Sequence, residues 1–107
     1  MKLGNIITSS IRLYFYDIID QISEQRPNVD FGSVSGPTPH VAALIRDSNT
    51  TIGLYLELLS LDHIKLNVMV NFENHFKIFT LHDTDSSELV RYTLQTIDQI
   101  TQQTKHK

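Results

Sequence analysis

Apolar residues recur along this chain with two periods, and the switch between them marks the elements. Leu3, Ile7, Ile11, Phe15, Ile18 and Ile22 follow one another at spacings of three or four. That spacing predicts a helix over residues 5–25 with one apolar stripe. Ile6, Leu13, Tyr14 and Ile19 widen the stripe, while Asn5, Ser9, Arg12, Asp20 and Glu24 fall off it. Pro27 ends the helix because it pushes Arg26 out of the α region. The helical spacing returns near the C-terminus with Leu89 or Val90, Leu94, Ile97 and Ile100, predicting a second helix over 85–104. Asp85 and Glu88 stand three apart at its start, as in a capping box, and Lys105, His106 and Lys107 suit the negative end of its dipole.

Between the helices the period becomes two. Residues 41–83 read as four strands of an antiparallel meander, with turns at "DSNT" (47–50), "SLD" (60–62) and "ENH" (73–75). These turns set Ile45 opposite Ile52, Leu58 opposite Ile64, and Phe72 opposite Phe76. One face then collects Val41, Ala43, Ile45, Ile52, Leu54, Leu56, Leu58, Ile64, Leu66, Val68, Val70, Phe72, Phe76 and Ile78. A slip of one residue in any hairpin would turn its strand over, so the register carries the face. The predicted fold is α+β: helix, loop, four-stranded meander, helix, with both helices on the apolar face and a single domain over 1–107.

The opposite face is mixed. Glu57, Lys65 and Asp83 form a charge row, and Leu44, Gly53, Met69 and Phe79 lie in line beside it. Leu44, Tyr55, Met69, Phe79 and Leu81 are therefore apolar residues on a face no helix is expected to cover. Either a partner uses them, or the broad first helix or the 26–40 segment folds over them. The partner-binding candidates on this side are Tyr55, Glu57, Lys65, Met69, Lys77, Phe79 and Asp83. A second set, Tyr16, Asp17, Asp20 and Glu24, lies on the acidic side of the first helix, where an outward tyrosine suits an interface.

Composition narrows the function classes. Of 107 residues, 40% are hydrophobic and 20% charged, an ordinary globular balance. The net charge of −3 and nine scattered Lys and Arg lack the basic face of a nucleic-acid binder. The absence of Cys excludes disulfides, thiol catalysis and thiolate metal sites, and fits a cytoplasmic protein. No apolar run approaches a membrane span, and "MKLGNIITSSIRLYF" lacks the apolar core of a secretion signal.

No motif carries chemistry. "GSVSG" (32–36) centres on Val34 rather than Ser and is followed by Pro, so it is neither a nucleophile elbow nor a phosphate loop. "HDTD" (82–85), with His63 as a possible neighbour, offers metal-ligating side chains, but Asp83 and Asp85 also sit where a turn and a cap need them. No enzyme, cofactor or metal is expected. Residues 26–40, "RPNVDFGSVSGPTPH", hold all three prolines and read as an irregular connection.

The layout from "NIITSSIRLYFYDIID" through "ELVRYTLQTIDQI" resembles the small immunity proteins of bacterial toxin systems, such as those of contact-dependent growth inhibition. The resemblance is one of size, charge and helix–meander–helix order, and no functional residue carries over. It implies a cytoplasmic bacterial protein that binds and neutralises a cognate toxin domain; separately, the outer-face apolar residues could hold a weak homodimer, so a monomer or weak homodimer is expected. Two other expectations stand beside it. One is a secretion-type chaperone that binds an effector segment as a homodimer. The other is a small ligand-binding domain or enzyme with residues 26–40 as a lid.

Overall fold

A computed structural model describes residues 3–36, 38–46, 48–81 and 83–105. The order is α1 (Leu3–Gln25), β1 (Val29–Phe31), β2 (His40–Ile45), β3 (Thr50–Leu58), β4 (His63–Val70), β5 (Glu73–Thr80) and α2 (Ser86–Lys105). The five strands form one antiparallel sheet in sequence order. The α+β class and the meander are as expected, but the described residues form five strands rather than four.

The added strand lies inside the segment read as an irregular connection. β1 pairs with β2, Val29 opposite Ile45 and Phe31 opposite Ala43. The pairing runs on at both ends through Arg46 N–H to Asn28 O (3.0 Å) and Gly32 N–H to Ala42 O (2.8 Å). Ser35 and His40 then exchange backbone bonds across the arch. Much of 26–40 is therefore tied to the sheet, not a free loop.

The β3–β4 register is the predicted one, Leu58 opposite Ile64 and Leu54 opposite Val68. The β2–β3 register differs by two residues, Ala43 opposite Ile52 and Ile45 opposite Thr50, which preserves the faces. The β4–β5 register is different in kind. Val70 pairs with Glu73 across the two-residue turn Asn71–Phe72, not Phe72 with Phe76 across "ENH". Both turn residues are left-handed, with φ of 50° and 72°, which is the backbone of a type I′ hairpin turn. The displacement is odd, so β5 is turned over. Phe79 is buried, whereas Phe72, Phe76 and Ile78, assigned above to the apolar face, are exposed.

The core forms between one sheet face and the two helices. Ile11, Phe15, Ile18 and Ile22 of α1 and Leu89, Val90, Leu94, Ile97 and Ile100 of α2 share one buried cluster with Val41, Ala43, Ile52, Leu54, Leu56, Ile64, Leu66, Val68 and Val70 of the sheet. Leu3 and Ile7 of the α1 stripe lie outside the described side chains. Thr93 and Thr96 are buried on the α2 stripe, where their hydroxyls donate to the carbonyls of Leu89 (2.9 Å) and Tyr92 (2.8 Å), four residues back. The helices cover the sheet unevenly. α1 packs on β1 and β3 and α2 on β4, leaving β5 buried only at Phe79.

The helices run in the same direction and are joined by polar contacts along their length. Tyr14 Oη donates to Thr84 O (2.8 Å). The buried Ser86 hydroxyl donates to the Asp17 carboxylate and accepts from Gln21 Nε2 (2.9 Å). At the far end Arg26 grips Asp98 with two bonds of 2.7 Å. At the start of α2 the Glu88 N–H is held by the Asp85 carbonyl (3.0 Å), and Ser86 turns to α1. His106 and Lys107 lie outside the described residues.

Candidate functional site

The sheet has one covered face and one bare face. Strand registers place the bare face in rows. Ala42, Gly53, Met69 and Asn74 form one, and His40, Tyr55, Asn67 and Phe76 the next. Then come Glu57, Lys65 and Ile78, followed by His63 and Thr80. Leu44, opposite Thr51, closes the near corner. Leu44, Tyr55, Met69, Phe76 and Ile78 are 38–56% exposed, against 0–3% for Ile52, Leu54, Leu56, Ile64, Leu66 and Val68 on the opposite face. Strand alternation produces this difference: the same strands that fill the core present a second apolar set to water.

Gly53 opens a shallow depression in the middle of this face, lined by His40, Ala42, Tyr55, Asn67, Met69 and Asn74. A methyl group at Gly53 would meet only Met69 Cβ, at 3.6 Å, so close packing does not require glycine here. Beside the depression the Lys65 ammonium lies over the Phe76 ring, 4.6 Å from its centroid. The face thus offers aliphatic and aromatic side chains with a charged border, Glu57 opposite Lys65.

The structure separates the sequence candidates. Tyr55, Glu57, Lys65 and Met69 share the bare face. Lys77 and Phe79 do not, because β5 is turned over. Phe79 is core, edge-on to Tyr92 with centroids 6.1 Å apart, and the Lys77 ammonium caps its ring at 5.3 Å. Asp83 is exposed in the turn after β5, and Ile78, not Asp83, stands opposite Lys65. Phe72, Phe76 and Ile78 replace Phe79 and Leu81 among the exposed apolar residues. The signal for them was Asn71, a residue that tolerates the left-handed turn conformation, hidden by the bulky Phe72 beside it.

On α1, Tyr16, Asp17, Asp20 and Glu24 are exposed, and Arg12 lies over the Tyr16 ring at 5.8 Å. Asp17 is engaged with Ser86 and with Gln21 Nε2 (3.2 Å), so its role is to join the helices. Beneath it the Tyr14 hydroxyl is pushed up to about 12, first by burial and then by the negative charges of Asp85, Glu88 and Asp17. A raised tyrosine value stabilises the fold fully below its unfolded value of 10.0, and that contribution is lost as the pH rises towards 12. Tyr14→Phe is expected to cost about 1 kcal/mol at neutral pH, the worth of one hydrogen bond. Urea unfolding at pH 7 and pH 11 is the measurement. The variant should lose less stability than the wild type over that interval, and an equal loss would contradict the assignment. At the other end, hydrogen bonds from Arg26 hold the Asp98 carboxyl below its ordinary value despite partial burial, with the Arg26 charge acting in the same direction. That contribution is present at neutral pH and is lost as the pH falls through the lowered value.

No family model, curated protein or solved structure matches the chain. The reading of the site therefore rests on its geometry. Among the described residues no three His, Asp or Glu side chains gather as metal ligands, and His82 of the "HDTD" segment lies outside them. His63 Nδ1 pairs with Ser60 Oγ at 3.2 Å. No described helix is long and apolar enough to cross a membrane.

Proposed function

We propose that the protein is a protein-binding module and that the bare sheet face is its contact surface. The specific form proposed is a cytoplasmic immunity protein that neutralises a toxin domain by covering it, without chemistry of its own. One observation carries the choice of surface: five large apolar side chains on one face, all 38–56% exposed, beside a fully packed core. Fully burying such a side chain yields ~1.5–3 kcal/mol. About half of each is already covered, so the set supplies roughly 4–8 kcal/mol gross. Association costs ~4–15 kcal/mol, so tight binding needs the border charges as well. Glu57 and Lys65 are placed to supply them, and Tyr55 and Phe76 are the aromatic anchors.

The test is the double substitution Tyr55→Ala with Phe76→Ala, both at exposed positions. The variant is expected to keep the wild-type circular dichroism spectrum. Its affinity for the protein that the wild type captures, identified by mass spectrometry and then purified, should fall about 100-fold, as for two hot-spot residues. Full affinity in a folded variant would move the site to the α1 surface around Tyr16, Asp20 and Glu24.

A further inference from the structure

β5 is a long free edge of the sheet. It ends the sheet, pairs only with β4, and runs for eight residues without proline. The opposite edge strand, β1, has three residues and follows Pro27 closely. In a two-residue hairpin the residues flanking the turn exchange both backbone bonds, so Glu73, His75, Lys77 and Phe79 face β4. Leu81, of the same parity, continues the pattern with N–H to Asp62 O at 2.8 Å. The N–H and C=O groups of Asn74, Phe76, Ile78 and Thr80 therefore point off the edge. A long exposed edge carrying Phe76 and Ile78 is a template for another strand.

We propose that two copies of this chain associate through β5, antiparallel and edge to edge, about a two-fold axis at His75, joining both sheets into one. Charge selects this register. With the axis at His75, Lys77 faces Glu73 of the second copy, and the reverse pair forms on the other side. With the axis at Lys77, two ammonium groups would face each other, and with the axis at Phe76 or Asn74 each Lys77 would face His75 or Asn71 in place of a carboxylate. Like charges directly opposite are destabilising in a sheet, and opposite charges stabilise it. In the selected register each His75 ring stays with its own Glu73, 2.6 Å away.

Phe72 gives a second, independent reason. It is 88% exposed and sits at φ 72°, a conformation that strains the backbone of a bulky residue and that glycine adopts freely. In the proposed register this turn lies beside Ile78 of the second copy, so the strained ring covers an exposed side chain across the two-fold. Phe72, Phe76 and Ile78 of both copies together hold roughly 700 Å² of exposed surface, of which the second copy covers the flanks facing it while the bare face stays open, and the paired strand backbones add to the buried area. That size corresponds to a weak dimer. The helices leave room for it. α2 lies over β4, so it and its copy would stand three strand spacings apart, about 14 Å, beyond a helix diameter of ~10 Å. The groove beside the edge, lined by Lys77, Thr80, Glu88, Arg91 and Gln95, is open. The bare faces of the two copies would become one continuous surface.

Sedimentation equilibrium of the purified protein is expected to show reversible monomer–dimer exchange, with a dissociation constant on the order of 10–100 μM. Lys77→Glu should weaken the dimer at least about tenfold, and adding Glu73→Lys should restore it. Phe72→Gly should weaken it similarly while making the dilute monomer more resistant to urea, a pairing of effects that a purely structural role would not produce. Because the chain has no cysteine, a single introduced one reports the register. His75→Cys should form a disulfide dimer under mild oxidation, since facing non-hydrogen-bonded residues bring Cβ atoms within ~5 Å. Lys77→Cys should not, its two copies lying roughly 13 Å apart along the strands. A monomer at about 500 μM, a charge swap that fails to restore association, or cross-linking at both positions would overturn the proposal. No partner protein enters these measurements, so the dimer and the bare-face reading fail independently.

Discussion

Leu56→Asp is expected to leave the chain without a cooperative unfolding transition, while Glu57→Leu, one residue along β3, changes stability by no more than ~0.5 kcal/mol. Leu56 is fully buried in mid-strand and pairs with Leu66, also fully buried. Removing a buried leucine alone costs ~2–5 kcal/mol. Placing an unpaired carboxylate there adds a desolvation penalty of several kcal/mol. A domain of this size has a total margin of only ~5–15 kcal/mol, so the two costs consume most or all of it. Glu57 points to the bare face opposite Lys65, in a row that ends at the exposed Ile78. A leucine there adds to an apolar surface without disturbing the core. Thermal and urea unfolding followed by circular dichroism compares the two, and equal losses would contradict the β3–β4 register.

The second large effect separates two phenylalanines of β5. Phe79→Ala is expected to cost about 3 kcal/mol, at the lower end for a buried phenylalanine because the site is on the margin of the core. For a domain of this size that lowers the midpoint of thermal unfolding by roughly 10–20 °C. Phe79 is 8% exposed, stacks edge-on with Tyr92, and is the side chain through which β5 joins the core. Phe76→Ala is expected to cost at most ~1 kcal/mol, chiefly the contact with Lys65, since exposed cation–aromatic pairs are worth ~0.5–1 kcal/mol. The order of these two effects tests the hairpin directly. Joining β4 and β5 through "ENH" would bury Phe76 and expose Phe79, and the larger loss would then fall at Phe76.

The bare face was legible in outline and wrong in one strand. Tyr55, Glu57, Lys65 and Met69 were placed correctly because β3 and β4 alternate cleanly and their turn admits one register. Leu44 and Gly53 were also on the right face, because the β2–β3 error was even. β5 offered no such control. Its even positions include Phe76 and Ile78 and its odd positions Phe79 and Leu81, so either face reads as apolar. Only the turn could decide, and a phenylalanine in a left-handed position is a poor turn signal. β1, three residues long, gave too short a period to detect, and its pairing depends on β2 being alongside.

By itself the sequence determined the two helices, the central β2–β4 meander and the core stripes of α1 and α2, because periods of 3.6 and two are local consequences of backbone geometry. Where those patterns were long or one-sided they left a single solution. Tertiary structure decided the rest: the fifth strand, the parity of β5, and the joining of the helices through Tyr14, Asp17, Ser86, Arg26 and Asp98. Each of these depends on groups distant in the chain meeting across a packed core. The same holds for the uncovered state of the outer sheet face and the β5 edge, since exposure is set by where two helices can lie on five strands, and their apolar stripes are spent on one face.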